Sequence, residues 1–314
     1  MSTAEAGTHT PPHTHANPHT DALIHPDAPT RTDASLPADA APISGPNKED
    51  ARIRRDRLLK YGLPVAVIIG LIALWAATVE INEIPHYILP GPDLVGATLV
   101  ADWPILAPAL INTLIITMAA LFFATTGGVL LAIALTQSRI VEYSFSPIAV
   151  ALQVTPIVAI FPLINIYVDN IFAKLVICGW IVAFFPILSN TILGLNSADR
   201  NLVDLYKLYG ASRWQTLRYL RLPAATPYFL GGLRISGGLA LVGAVVAEYV
   251  AGSAGVGSGL ASRLIEAGYR LNMPRLFAAL ILISLTGVVI YVILSVVNNL
   301  LLRRWHESAM KRRR

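Results

Sequence analysis

The stretch LYGASRWQTLRYLRLPAATPYFLGGLRISGGLA, residues 208–240, passes from one kind of chemistry to another within a single run. Its first half is basic and aromatic, with Arg213, Trp214, Arg218, Tyr219 and Arg221. Its second half is small and apolar, interrupted only by Arg234. Just upstream, Ser197 is placed to cap a helix that runs to Tyr209, and Gly210 to end that helix in a left-handed turn. Ser212 opens a second helix, and Gln215, three residues on, completes a capping box. Pro223 is expected to close it. Residues 227–250 then read as a membrane span. The stretch is therefore a basic helix–Gly–helix element that feeds an apolar helix.

Composition supports a membrane reading. Of 314 residues, 54% are hydrophobic and only 14% charged, with a mean hydropathy of +0.59. Soluble domains carry about 25% charged residues. Uncharged runs cover residues 61–79, 103–138, 143–168, 175–198 and 276–302, and about 20 apolar residues span a hydrocarbon core of about 30 Å. With 227–250 these make six expected transmembrane helices, starting near Leu63, Pro108, Phe145, Ala173, Pro227 and Phe277. Residues 1–60 have no apolar run to build a core and are expected to be a disordered extension ending in a basic flank. Residues 61–302 form the membrane domain and 303–314 a basic tail.

Orientation follows from the basic residues. Arg52, Arg54, Arg55, Arg57 and Lys60 precede the first helix. Arg200, Lys207, Arg213, Arg218 and Arg221 link the fourth to the fifth, and Arg303 to Arg314 end the chain. The segment 80–102 has acids and no Lys or Arg. The positive-inside rule then places both termini and the 196–223 loop in the cytoplasm, against the one exception of Arg263, Arg270 and Arg275 in the last outer loop. The net charge of +5 is a topology signal, and nucleic-acid binding is set aside. A single cysteine, Cys178, excludes an intrachain disulfide framework and a Cys-based zinc site. His9, His13, His15, His19 and His25 lie in the N-terminal extension at no metal-site spacing, so no metal is expected. On pattern alone the 196–223 loop is either an interfacial helix pair with snorkelling arginines or a docking element for a cytoplasmic partner.

Asp204, Gly210, Leu220, Leu222 and Pro223 fall at the spacing of the permease signature of bacterial ATP-binding cassette (ABC) importers: Glu-Ala-Ala, three residues, Gly, nine residues, Ile, one residue, Leu-Pro. From about Leu89 onward the chain resembles the nitrate/sulfonate/taurine-type permeases, and AEYVAGSAGVGSGL, residues 247–260, is similar to that family's segment after the fifth helix. Asp204 stands for the Glu, and Leu205 and Tyr206 for the two alanines, which is expected to alter partner choice rather than abolish docking. The resemblance implies a MetI-like permease fold, all-α with six membrane helices. It also implies an ATPase-coupling loop comprising Asp204, Leu205, Gly210, Ala211, Leu220, Leu222 and Pro223. The implied partners are two copies of an ABC ATPase, a second permease copy in a homodimer, an extracytoplasmic substrate-binding protein and the lipid bilayer. The implied location is the bacterial inner membrane.

The chain has no phosphate-loop lysine, so ATP is expected on the partner, with no cofactor and no catalysis here. Gly255, Gly257 and Gly259 look like a phosphate cradle but lack a following Lys-Ser/Thr, and read as a flexible or re-entrant outer connection. Pro147, Pro156, Pro162 and Pro186 introduce kinks, tolerated where a helix faces protein or water. Gly127, Gly128, Gly231, Gly232, Gly237 and Gly238 offer small surfaces for helix contact. Arg234 and Glu248 are ionisable groups in a span; fourteen residues apart, or about 21 Å of rise, they cannot pair with each other. Each reads either as a structural partner or as part of a translocation path with Gln153, Thr155 and Asn190; Asn165 is a further polar candidate. The alternative function is a secondary transporter or channel working without an ATPase, which would require inverted repeats and charged half-helix sites. Neither is evident. The resemblance implies a solute that is either a small anion such as nitrate, a sulfonate or taurine, or a pyrimidine, riboflavin or aromatic-acid type compound.

Overall fold

In the computed structural model, residues 48–252 and 258–302 are described, and all of their regular structure is helical. The chain divides into two units, Met1–Lys60 and Tyr61–Arg314. The His-rich stretch, the 253–257 glycine segment and the basic tail lie outside the described residues.

The elements are α1 (Lys48–Ile81), α2 (Pro92–Ala101), α3 (Trp103–Gln137), α4 (Arg139–Val154), α5 (Ile157–Tyr167), α6 (Ile171–Leu195), α7 (Arg200–Leu208), α8 (Arg213–Thr216), a π turn (Leu217–Arg221), α9 (Leu222–Ala251), α10 (Leu260–Tyr269) and α11 (Met273–Leu302). Among the described residues, five helices are long and apolar enough to cross a membrane, within α1, α3, α6, α8–α9 and α11. Where a single third span was expected from Phe145, the chain breaks at Thr155-Pro156 into α4 and α5. Proline disfavours a helical residue before it and supplies no N–H, so Thr155 turns extended and Pro156 caps the next helix. The second span starts at Trp103 rather than Pro108, because Pro104 falls in the first turn, where a missing N–H costs nothing.

The core is a slab of three helices. α3 and α6 run parallel: Ala120 meets Gly179, and Gly128 meets Ile187. The broken pair α4–α5 therefore carries the chain back between them. α9 runs antiparallel to α6, with Gly243 against Gly179, Ser236 Oγ donating to the Ala183 carbonyl at 2.7 Å, and Gly194 against Ala225. A Cβ on Gly243 would lie 2.9 Å from the Gly179 Cα, and one on Gly194 2.8 Å from the Ala225 Cα, so only glycine permits this spacing. Of the paired glycines expected to pack, Gly128, Gly232 and Gly237 do so, while Gly231 and Gly238 face open space. Ile116, Ala120, Ala124, Cys178, Ala183, Ala240 and Ala244 fill the slab's centre.

At one end, α2, α10 and the start of α11 close over Leu106, Ala109, Leu260 and Ala278. The Arg275 Nε lies 2.6 Å from Asp102 Oδ2 there, joining the α2–α3 junction to α11. At the other end, Leu135, Leu188, Leu195, Leu217 and Ala225 form a second cap of core under the α8–π segment. α1 keeps its apolar side chains from Leu63 to Leu74 largely exposed and touches α11 by stacking Trp75 on Phe277 at 5.8 Å.

Candidate functional site: the helix–glycine–helix element and the helix break

Asp199, rather than Ser197, caps α7: its side chain accepts the Asn201 N–H at 2.8 Å. Ser197 instead donates its hydroxyl to the Gly194 carbonyl. α7 then ends in a paired closure. The Gly210 N–H donates to the Lys207 carbonyl and the Ala211 N–H to the Tyr206 carbonyl, at 3.0 and 2.9 Å. That closure puts Gly210 at φ +70°, the left-handed region where a side chain is strained. Ser212 and Gln215 make the reciprocal capping box, at 2.7 and 3.2 Å. Two helices are thus held about one turn by the backbone closure at Gly210 and the side-chain capping box that follows it.

Apolar side chains are displayed around that turn. Leu208 and Tyr209 are 85% and 83% exposed, and Leu202, Leu205, Trp214 and Tyr219 are also exposed. Asp204 Oδ1 lies 2.8 Å from Lys207 Nζ at the surface. Ala211 is half-buried against a cavity beside the end of α3. Leu217 is buried among Leu135, Leu188 and Leu195, with Leu222 packed beside it. Pro223 does not close the second helix. It sits in the first turn of α9, and the helix from Arg213 to Ala251 is continuous through the π turn. The wider register of that turn absorbs the carbonyl that Pro223 leaves without a donor.

The path candidates are dispersed. Gln153 and Thr155 line a cavity of about 330 Å³ with Ile157, Phe185, Pro186 and Leu239, at the break between α4 and α5. Thr155 donates its hydroxyl to the Ala151 carbonyl at 2.6 Å. Asn190 donates to the Pro186 carbonyl at 2.8 Å and lies against Gly232, inside the α6–α9 contact. Arg234 turns toward α11, its guanidinium carbon 5.4 Å from the centre of the Tyr291 ring, a cation–π pairing that lowers the cost of an arginine in a span. Asn165 accepts a hydrogen bond from Lys174 Nζ at 2.7 Å.

Glu248 is 1% exposed and serves as a clamp. Its Oε1 accepts from Thr113 Oγ1 at 3.1 Å and its Oε2 from the Ala261 N–H at 3.0 Å; Thr113 Oγ1 also accepts the Leu260 N–H at 2.9 Å. Two otherwise orphaned donors at the start of α10 are satisfied by α9 and α3. Thr113 gave no signal in the sequence beyond an isolated hydroxyl in an apolar helix. Gly259 belongs to the same clamp, since a Cβ there would collide with Glu248 Oε1 and Thr113 Oγ1.

Residues 124–307 match the family described as binding-protein-dependent transport system inner membrane component. The chain belongs to that family. It is 34% identical to the riboflavin transport system permease protein RibX of Chloroflexus aurantiacus, over 79% of this chain and 91% of the relative. It is 29% identical to the formylaminopyrimidine transport permease protein ThiX of Halalkalibacterium halodurans, over 76% and 94%. In structure it resembles a crystallised amino acid ABC transporter with histidines, at a TM-score of 0.54 and 18% identity, covering 66% of this chain and 97% of the other. The permease is thus a membrane subunit of an ABC importer, a multi-pass protein of the bacterial inner membrane that works with an ATPase and a substrate-binding protein.

Proposed function

We propose that two copies of this permease enclose a path for a small ring compound of the riboflavin or pyrimidine type, and that the α7–Gly210–α8 element couples each copy to one of two cytoplasmic ATPase subunits. Both termini then lie in the cytoplasm. The observation that carries the coupling reading is the exposed apolar turn at Gly210, braced on both sides and continuous with α9. A rigid turn moves the helix attached to it, so closure of the ATPases shifts α9 and alternates access to the path. Asp204 and Leu205 lie on the displayed helix α7. Ala211, Leu220, Leu222 and Pro223 fix how α8 and the π turn join the slab. ATP is bound and hydrolysed by the partner.

The cavity at the α4–α5 break supports the solute reading. An amide from Gln153, a hydroxyl from Thr155 and the ring of Phe185 line it without an ionised group, which suits an uncharged ring with hydrogen-bonding edges. Within this reading Gln153 and Thr155 touch the solute, and Asn190, Arg234 and Glu248 hold the helices that frame it.

The test is Gly210→Val in the co-expressed importer. A side chain meets no neighbour at this position, so the effect is backbone strain, roughly 1–2 kcal/mol for an L-residue in the left-handed region. That depopulates the turn by a factor of about 5–30. ATPase co-purification and solute-stimulated hydrolysis are expected to fall accordingly, whereas Gly210→Asn, which tolerates that region, retains most of both. A fully assembled, fully stimulated Gly210→Val complex would assign the element to the membrane interface instead.

A further inference from the structure

Beside the Gly210 turn lies a concavity of about 340 Å³ between the end of α3 and the α7–α8 element, into which Lys207, Arg213 and Arg221 converge, with Gln137 beside them. We infer that this cavity binds a phosphate-bearing anion at the membrane surface. No carboxylate lines it. Lys207 has Asp204 as its partner, but both side chains are about two-thirds exposed (69% and 66%), and a pair that open is readily diverted to another anion. Among the described residues neither Arg213 nor Arg221 takes part in an ion pair. Three like charges around one concavity repel each other, and an anion between them converts that repulsion into attraction.

The neutral groups narrow the chemistry. Thr136 spends its hydroxyl proton on the carbonyls of Ala132 and Ile133, and Thr216 on that of Ser212. Recognition therefore falls to two guanidinium forks and an ammonium, with the Gln137 amide beside them, a donor set that matches an oxyanion with several acceptors, as phosphate has. Position narrows its source. Gln137 ends the apolar helix that begins at Trp103, so the cavity opens at a membrane end of the bundle, within reach of lipid headgroups, and basic pockets of this kind hold anionic ones. A lipid headgroup and a soluble phosphate share this chemistry.

This inference does not depend on the coupling role of Gly210, and its test reads binding rather than transport. The full chain in detergent is dialysed against radiolabelled inorganic phosphate. In parallel, lipid retained after delipidation and re-addition of phosphatidylglycerol or phosphatidylcholine is read by native mass spectrometry. The variants are Arg213→Gln/Arg221→Gln, the charge-conserving Arg213→Lys/Arg221→Lys, and Arg218→Gln as a basic residue outside this cavity's lining. Saturable binding of phosphate, of phosphatidylglycerol or of both is expected, weakened about tenfold or more in the double glutamine variant and largely kept in the lysine and Arg218 variants. Phosphatidylglycerol without phosphate identifies the headgroup as the source, and phosphate without lipid identifies a soluble anion. Equal binding by wild type and the double glutamine variant overturns the inference. So does a double variant that loses only ATPase co-purification, which would make the cavity part of the protein interface.

Discussion

Removing the Glu248 carboxylate separates a clamp from a transport residue. In Glu248→Ala the Ala261 N–H and the Thr113 hydroxyl lose their acceptor in a site that water does not reach. Two hydrogen bonds to a carboxylate, at about 1.5–3 kcal/mol each, amount to about 3–6 kcal/mol. Interhelical hydrogen bonds in membrane proteins average nearer 0.6 kcal/mol, because the unfolded chain keeps partners there. The lower end, about 3 kcal/mol, is the expected loss. At roughly 2–4 °C per kcal/mol for a chain of this size, Tm falls by about 6–12 °C. Glu248→Gln keeps one acceptor and turns an amide donor toward the other site, so it costs about 1–2 kcal/mol and falls between. Cys178 is the chain's one cysteine and is buried, so a thiol-reactive fluorogenic dye reads unfolding directly in detergent. Were Glu248 instead a group that the solute passes, both variants would unfold within about 2 °C of wild type and differ only in uptake. That result would refute the clamp.

Gly259→Ala drives a methyl into the same carboxylate and hydroxyl, and the dye assay is expected to show a loss of about 1–3 kcal/mol, as other overpacked sites do. Asp102 and Arg275 are each 18% exposed at 2.6 Å; a double-mutant cycle with Asp102→Asn and Arg275→Gln should give a coupling within the 0.5–3 kcal/mol range of contacting pairs, about 1–2 kcal/mol. On α10, the hydrogen bond from Arg263 chiefly holds Glu266 below its ordinary value of 4.5, with Arg270 and Arg275 adding to it. Because the folded value is the lower one, this stabilisation is present above about pH 4.5 and is lost as pH falls through the lowered value. Tm curves of wild type and Glu266→Gln should therefore run parallel from about pH 7 to about pH 5 and converge only in more acid solution.

The fold's outline was legible because membrane spans and caps are written locally. Each apolar run became a long helix or the broken α4–α5 pair, and the Gly210 turn and Ser212–Gln215 box need only neighbours three to five residues away. What stayed hidden depends on partners far along the chain. Thr113 meets Glu248 across 135 residues, and Asp102 meets Arg275 across 173. Arg234 finds Tyr291 on another helix. A polar residue in an apolar run announces a cost, and its spacing does not say which helix offsets it. The close α6–α9 contact had the same difficulty. Gly179, Gly194 and Gly243 stand singly and gave no sign, while the paired glycines that drew notice place one member of two pairs in open space.

Pro223 shows how a local rule can be right in its physics and incomplete in its consequence. Proline ends a helix by withholding one N–H and crowding the turn before it. At Leu217–Arg221 the preceding turn has already widened to the longer register, so the crowding is relieved and the helix continues. Leu217, buried at this point between α3 and α6, pins the widened turn to the slab. The glycine contacts then hold α9 to α6 along its length, from Gly194–Ala225 at this end to Gly179–Gly243 farther on. A displacement of the Gly210 turn consequently meets a tightly packed pair of helices, while the Thr155-Pro156 break, with no helical hydrogen-bond ladder across it, interrupts the chain beside that slab. The break lies beside the cavity lined by Gln153 and Thr155, so under the coupling we propose, motion entering at the turn would reach the solute path where those side chains stand.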